Sequence, residues 1–235
     1  MANVSRERLE RLTGLMEDQR WDLLVFYGNP WRKDYFRYIV NFNFNCAHAL
    51  AILDRFGELR TIMSDPWDAE LVEGSFASPS SASRSLAGLT GRIAIAGLEF
   101  MDARYAISSA ISATAHIEEM RRVKTLEEIA ALRRAAELAD RGWTFFAGTA
   151  EPGMAEFELV AEVEAFLKRN GAEDNFMLIG SGGVEVTGMK PPTERKLQNG
   201  DFVNGGERHA VETVVVCVNA VGNRRNEYRE VRAIG

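Results

Sequence analysis

Cysteine is nearly absent: Cys46 and Cys217 are the only two in 235 residues, and they form neither a disulfide framework nor a metal-ligand spacing. Long apolar runs are missing too. No stretch suits a signal peptide or a membrane span, and the N-terminus is charged from Arg6 to Arg11. A reducing cytoplasm with no membrane partner is therefore the expected setting. Positive charge is in deficit, with 28 Lys and Arg against 34 Asp and Glu, a formal net charge of −6. Nucleic-acid binding draws on clustered cations that neutralise phosphates, so no nucleic-acid partner is expected. The basic knot Arg121, Arg122 and Lys124 reads as a solvated linker. There are three histidines, none between His116 and His209, and no aspartate follows Asp201. No G-x-S-x-G elbow occurs, and no Cys–His pairing is suggested. What is abundant is ordinary globular material: 46% hydrophobic and 26% charged residues supply a core for one large domain or two modest ones.

The stretch from Arg121 to Gly171 organises the chain. Thr125 with Glu128 three residues on makes a capping box, in which each side chain satisfies a backbone N–H left open by the first helical turn. Leu126, Ile129, Leu132, Ala136, Ala139, Trp143 and Phe146 then recur at intervals of three and four. That spacing predicts one apolar stripe on a helix of about six turns. Glu151-Pro152-Gly153 breaks the run. A second helix begins near Met154, with Glu156 and Glu158 in its first turn, where the helix dipole favours negative charge. Leu159, Val160, Val163, Phe166 and Leu167 form its buried side, and Gly171 takes the left-handed position that ends it.

Upstream, Ser5 is placed to cap a helix carrying Leu9, Leu12, Leu15 and Met16 on one face. Leu23–Tyr27 reads as a central strand, and Ala47–Leu53 and Leu59–Met63 as strands joined across Asp54–Gly57. Asn41–Asn45 alternates like a half-exposed strand. Gly74–Ser85 reads as a loop, Arg92–Ala96 as a strand, Ala103–Ile111 as a helix and His116–Met120 as a strand. Strands alternating with helices imply an α/β domain with a mixed sheet and flanking helices. Downstream, Asn175–Ile179 and Val214–Val218 read as strands. Gly180-Ser181-Gly182-Gly183 between them reads as a plain turn, because a phosphate cradle needs a G-K-[ST] helix start after it. His48 reads as a core or edge residue, and Glu207, His209 and Glu212 match no metal motif.

The string R-R-V-K-T-L-E-E-I, then P-G-M-A-E-F-E-L, then P-T-E-R-K-L-Q-N-G-D-F-V resembles the catalytic-domain start of the creatinase, prolidase and aminopeptidase P family. The likeness covers residues up to about 205 and omits the tail. It implies a creatinase-like N-terminal domain over 1–122 and a pita-bread α+β domain, incomplete here, over 123–235. It further implies C–N bond hydrolysis by descent, on a peptide-like or guanidino compound, and a homodimer joined mainly through the N-terminal half. Family enzymes often bind Mn, Co or Zn through two Asp, one His and two Glu.

The sequence departs from that pattern at the chemistry. Counted from Asp201, the two aspartates would fall near Gly206 and Cys217, and neither is a carboxylate. The catalytic histidine, six residues before Arg195, would fall at Met189. No catalytic residue, metal ligand or cofactor is therefore expected here. The pocket-lining candidates are Gly182, Met189 and Lys190. A truncated or frame-shifted product is the simplest reading of 206–235, and it should leave apolar faces of both long helices uncovered. Two functions follow: a family hydrolase by descent that is inactive in this chain, or a non-catalytic dimerisation or small-ligand-binding module.

Overall fold

The apolar run after Asp22 becomes the central strand of an N-terminal sheet, β1 (Leu23–Gly28), and five of its six residues are buried. The computed structural model describes residues 5–72, 75–76, 86–105, 107–183, 186, 188–211 and 214–222, and their side chains outside 75–76 and 207–222. The chain divides into two compact units, Met1–Thr125 and Leu126–Gly235.

In the first unit β1 pairs antiparallel with β2 (Ala49–Asp54) and parallel with β5 (Ile93–Ala96). With β3 (Leu59–Met63), β4 (Ser75–Phe76) and β6 (Ile111–Ser112) the sheet runs β4-β3-β2-β1-β5-β6. It is the mixed α/β sheet expected. Helix α1 (Arg6–Gln19) seats Leu12 and Met16 on one face of the sheet, with α2 (Asp34–Val40), and both residues are fully buried. The other face is filled by Val25, Tyr27, Leu50, Ile52, Ile95 and Tyr105. The short α3 (Pro66–Leu71) is capped by Asp65, whose carboxylate accepts the N–H groups of Trp67 and Asp68.

Four local expectations in this unit need correction. Ser5 precedes α1 but makes no side-chain capping bond. Asn41–Asn45 is not a strand: Asn41 takes a left-handed C-cap conformation, and Phe44 turns inward against Phe36 at 5.1 Å. Ala103–Ile111 is not a helix. Among the described residues only a turn of 3-10 helix forms, Ala103–Tyr105, opened by Asp102, whose carboxylate accepts the Arg104 N–H at 2.9 Å, and ended where Tyr105 turns into the core 4.9 Å from the His48 ring. His116–Met120 is a helix, α4 (Thr114–Arg122), not a strand. Ala113 and Ile117, four apart, are buried while Glu118 and Glu119 face out, a helical period over too few residues to separate from alternation. Within Gly74–Ser85 only 75–76 is described, so the expected loop lies outside the described residues.

The second unit rests on the two long helices, α5 (Leu126–Thr149) and α6 (Glu156–Arg169), against a sheet ordered β7-β8-β9. Its strands are β7 (Asp174–Gly182), β8 (Phe202–Val211) and β9 (Val214–Gly222), all antiparallel. The buried face of α5 is Ala131, Ala135, Leu138, Ala139, Gly142 and Phe146, so the predicted stripe is rotated. Leu126 is 83% exposed, and Ala136 faces solvent. Small side chains turn inward because the sheet comes close: a Cβ added at Gly205 on β8 would sit 3.1 Å from the Phe146 ring. Leu138, Phe146, Leu159, Val160, Val163 and Leu167 pack with Met177 and Ile179. The helix faces expected to be left bare are thus covered. Each such side chain contributes about 1.5–3 kcal/mol of burial. The Gly180–Gly183 run is not a free turn, because β7 continues through Gly182.

Helix α6 starts with half of a capping box. The Glu158 carboxylate accepts the Ala155 N–H at 2.7 Å, but Ala155 at the N-cap has no side-chain acceptor to return the bond. Its backbone is already extended, φ −76 and ψ 154, as an N-cap requires. Ala155→Ser is therefore expected to stabilise this unit by about 1 kcal/mol. Urea unfolding followed by hydrogen exchange of the α6 amides measures it, and an unchanged or lower midpoint would refute it.

Candidate functional site

The polar letters of the motifs at 153–158 and 192–203 meet at the N-terminus of α6. The segment 193–197 crosses that helix end and supplies backbone acceptors. Glu156 N–H donates to the Arg195 carbonyl at 3.0 Å and Phe157 N–H to the Thr193 carbonyl at 3.2 Å, while Leu197 N–H donates to the Met154 carbonyl at 2.9 Å. Two otherwise open donors of the first turn are thus paired. Glu156 itself is fully buried. Its carboxylate accepts from Ser181 Oγ at 2.6 Å, Thr193 Oγ1 at 2.6 Å and Thr193 N–H at 3.0 Å. Burial alone would raise its pKa, but these bonds and the nearby Lys190 charge outweigh burial and hold it below the ordinary carboxylate range.

Arg195 continues the network. It donates to Ser181 Oγ at 2.7 Å and grips Asp201 with two parallel bonds, Nη1 to Oδ2 at 2.7 Å and Nη2 to Oδ1 at 3.1 Å. That fork is the strongest geometry available to an arginine and a carboxylate. The Arg195 bond lowers the Asp201 pKa against the opposing effect of burial, helped by the Gln198 N–H. Both carboxylates are anions at neutral pH, and each accepts three hydrogen bonds. As a unit this network escaped the sequence reading, although every member lies in a quoted motif or in the glycine run. Convergence of those letters was the available signal.

Of the three pocket candidates, Gly182 ends β7 opposite Phe202 and is buried, Met189 is half-buried and Lys190 is exposed. Lys190 folds back onto β7, exchanging both backbone bonds with Ile179 at 2.9 and 3.0 Å. Met189 is thereby held beside the strand, one residue from that bridge. Gly182 is three residues further along β7, and residues 184, 185 and 187 between them lie outside the described residues.

The positions expected for the two aspartates are brought onto neighbouring strands. Gly206 on β8 faces Asn219 on β9, and Cys217 on β9 faces Arg208. By residue type they do not supply the carboxylates that the resemblance expects: glycine offers no side chain, and a thiol is a poor match for a hard cation. Glu207 and His209 lie on β8 opposite Val218 and Val216. Their side chains, and Glu212 altogether, lie outside the described residues. Among the described residues no group of three or more His, Cys, Asp or Glu could hold a metal ion. No helix among them is long and apolar enough to cross a membrane.

A second polar cluster sits within the N-terminal unit. His48 Nδ1 lies 2.8 Å from Tyr27 Oη, and Arg104 Nη2 approaches its Nε2 at 3.4 Å. Arginine only donates, so Nε2 accepts and Nδ1–H donates to the tyrosine oxygen. Asp102, 3.9 Å from Nε2, is claimed by Arg104 through bonds of 3.0 and 2.7 Å, which hold its pKa far below the ordinary range. Tyr105 packs on the His48 ring at 4.9 Å. His48 is therefore the satisfied core histidine expected from the sequence. Burial lowers its pKa first, with Arg104 adding to this and Asp102 opposing it. A depressed folded pKa means that the unfolded chain binds the extra proton first. Stability should fall as pH drops below about 6.5, and His48→Gln should remove that part of the slope. Denaturant midpoints at pH 7.5 and 5.5 test this, and an unchanged pH difference in the variant would contradict it.

The described residues form an α/β unit followed by an α+β unit, the arrangement of the first part of the pita-bread fold. Residues 130–205 match the model of metallopeptidase family M24. An uncharacterized peptidase of Methanocaldococcus jannaschii is 33% identical over 87 residues, 36% of this chain and 24% of its own length. A Xaa-Pro dipeptidase of Pyrococcus furiosus is 32% identical over 89 residues, 37% of this chain and 26% of its own length. The crystal structure of the prolidase from Pyrococcus horikoshii superimposes with a TM-score of 0.71 at 18% identity, covering 92% of this chain and 64% of that one. The chain thus matches about a quarter of the length of these curated relatives and spans 64% of that prolidase.

Proposed function

We propose that this chain is a prolidase-like M24 protein that does not hydrolyse C–N bonds and serves instead as a dimerising or small-ligand-binding module. Hydrolysis near neutral pH needs a water-derived hydroxide, made by a metal ion or by a general base of suitable pKa. The observation that carries the reading is the fate of the polar groups around the α6 N-terminus. Glu156 and Asp201 are hydrogen-bonded anions held below the ordinary range, and the place of the family's histidine is taken by Met189. A thioether is neither a base nor a ligand for hard cations. A small peptide-like or guanidino ligand would meet Gly182, Met189 and Lys190, the last supplying a cation for a carboxylate. The resemblance also favours a homodimer through the N-terminal unit.

The test is a dipeptide with C-terminal proline, incubated with the protein and added manganese, cobalt or zinc. No turnover above a protein-free control is expected. Chelator-sensitive turnover would overturn the proposal. Amide shift changes at residues 179–190 on titration with the same dipeptide would support the ligand-binding form, and their absence would leave dimerisation as its content.

A further inference from the structure

We propose that Asn199 is a site of spontaneous deamidation, and that the isoaspartate formed there unlocks the Glu156–Arg195–Asp201 network. The second unit holds three Asn-Gly pairs, Asn170-Gly171, Asn199-Gly200 and Asn204-Gly205. Deamidation is easiest before glycine, which has no Cβ to hinder its own nitrogen and leaves the backbone free to rotate. That nitrogen attacks Cγ of the asparagine. A glycine N–Cγ bond forms, the Cγ–Nδ2 bond breaks, and the displaced proton leaves with the amide as ammonia. Water then opens the five-membered imide at one of its two carbonyls. Opening at Cγ gives aspartate, and opening at the main-chain carbonyl gives isoaspartate. Water is the one co-reactant. The step needs an unbonded glycine N–H, an asparagine amide that is not pinned, and a backbone that can turn. The structure separates the three pairs on those points.

Asn170 ends α6 with its amide held on both sides: Oδ1 accepts from Arg141, and Nδ2 donates to the Phe166 carbonyl at 2.7 Å. The Gly171 N–H is engaged as well, by the Lys168 carbonyl at 3.2 Å. Asn204 lies on the central strand β8, opposite Gly180 on β7 and Val221 on β9. Ladders on both sides fix its backbone, and Gly205 is buried against Met177 and Phe146. Asn199 has none of these restraints. With Gly200 it forms the exposed tip of the turn 198–201, closed by the Asp201 N–H on the Gln198 carbonyl at 3.1 Å. Gly200 takes φ +90, the left-handed position of such a turn. Neither the Asn199 amide nor the Gly200 N–H has a hydrogen-bond partner among the described residues.

The consequence follows from what the turn holds. Gln198 N–H donates to Asp201 Oδ2 at 2.8 Å, and the same oxygen accepts from Arg195 Nη1 at 2.7 Å. Isoaspartate at 199 inserts one carbon, about 1.5 Å, into the main chain between Gln198 and Asp201. The turn bond and the Gln198–Asp201 bond cannot both survive that insertion, so Asp201 is drawn away from Arg195. Aspartate at 199 leaves the main-chain length unchanged and keeps the network.

Protein incubated at mildly alkaline pH, then digested and mapped by mass spectrometry with electron-transfer fragmentation, separates isoaspartate from aspartate at each position. Asn199 should convert about tenfold faster than Asn170 and Asn204, whose restraints are lifted only by local opening. In urea the three rates should converge. Aged protein should lose amide protection at the start of α6 in proportion to its isoaspartate content. Asn199→Ser aged in parallel should keep that protection, and so should freshly prepared Asn199→Asp. Equal conversion of the three asparagines in the folded protein would overturn the site. Isoaspartate at 199 with unchanged protection of α6 would overturn its effect on the network.

Discussion

Glu156→Ala is expected to destabilise the C-terminal unit by about 3–5 kcal/mol, the range for breaking a buried charged network from one side. Three donors lose their acceptor at once: the Ser181 and Thr193 hydroxyls and the Thr193 N–H. A hydrogen bond to a charged group is worth about 1.5–3 kcal/mol, and a buried donor left unpaired pays its desolvation in full. The loss should be local, because Thr193 and Arg195 also present the carbonyls that accept the first N–H groups of α6. Hydrogen exchange at the start of α6 and the end of β7 should accelerate together. Glu156→Gln should cost less, since an amide turned toward Ser181 can donate where the carboxylate accepted, the hydroxyl rotating to receive it. Acid provides an independent check. The folded pKa of Glu156 lies below its ordinary value, so its contribution is complete above about pH 4.3 and fades as pH falls further. The gap between wild type and Glu156→Ala should narrow at pH 3. A loss under 1 kcal/mol at pH 7 would show that the network does not hold the turn.

Gly180→Ala should cost about 2–4 kcal/mol, through overpacking and the loss of two backbone bonds. A Cβ at this position would collide with the Gly188 carbonyl oxygen and press on Val186 Cγ1 at 3.2 Å. The colliding atom is backbone, so no rotamer change relieves it. The segment carrying Met189 and Lys190 must leave β7, breaking both bonds between Ile179 and Lys190. The amides of Ile179 and Lys190 should lose protection first, and any ligand response at residues 179–190 should vanish with them. Protection equal to wild type at both amides would mean that the loop is not held by this contact.

Much of the fold was legible in the chain. The central strand Leu23–Gly28, the strands at 49–63 and the helices at 126–149 and 156–169 announced themselves through apolar runs, periodicity and caps. The losses were in short elements. Thr114–Arg122 is nine residues, too few for a 3.6-residue period to stand out from alternation, and within 103–111 the one described turn, Ala103–Tyr105, is too short to show any period. The candidate site divides the same way. That Met189, Gly206 and Cys217 stand where the resemblance expects a histidine and two aspartates is a matter of residue identity, read by counting from Arg195 and Asp201. The Glu156–Ser181–Thr193–Arg195–Asp201 network joins residues up to 45 positions apart, and their pairing is a matter of distance.

By itself, then, the sequence determined which elements are long and amphipathic, which family the segment at 130–205 resembles, and which chemical groups are available to it. Those follow from local spacing and residue type. Tertiary structure alone decided which face of α5 turns inward, that a three-stranded sheet covers both long helices, and that Glu156 is a buried structural anion. Each of those outcomes depends on how closely the backbones of helix, strand and turn approach one another, and only the packed chain sets that distance.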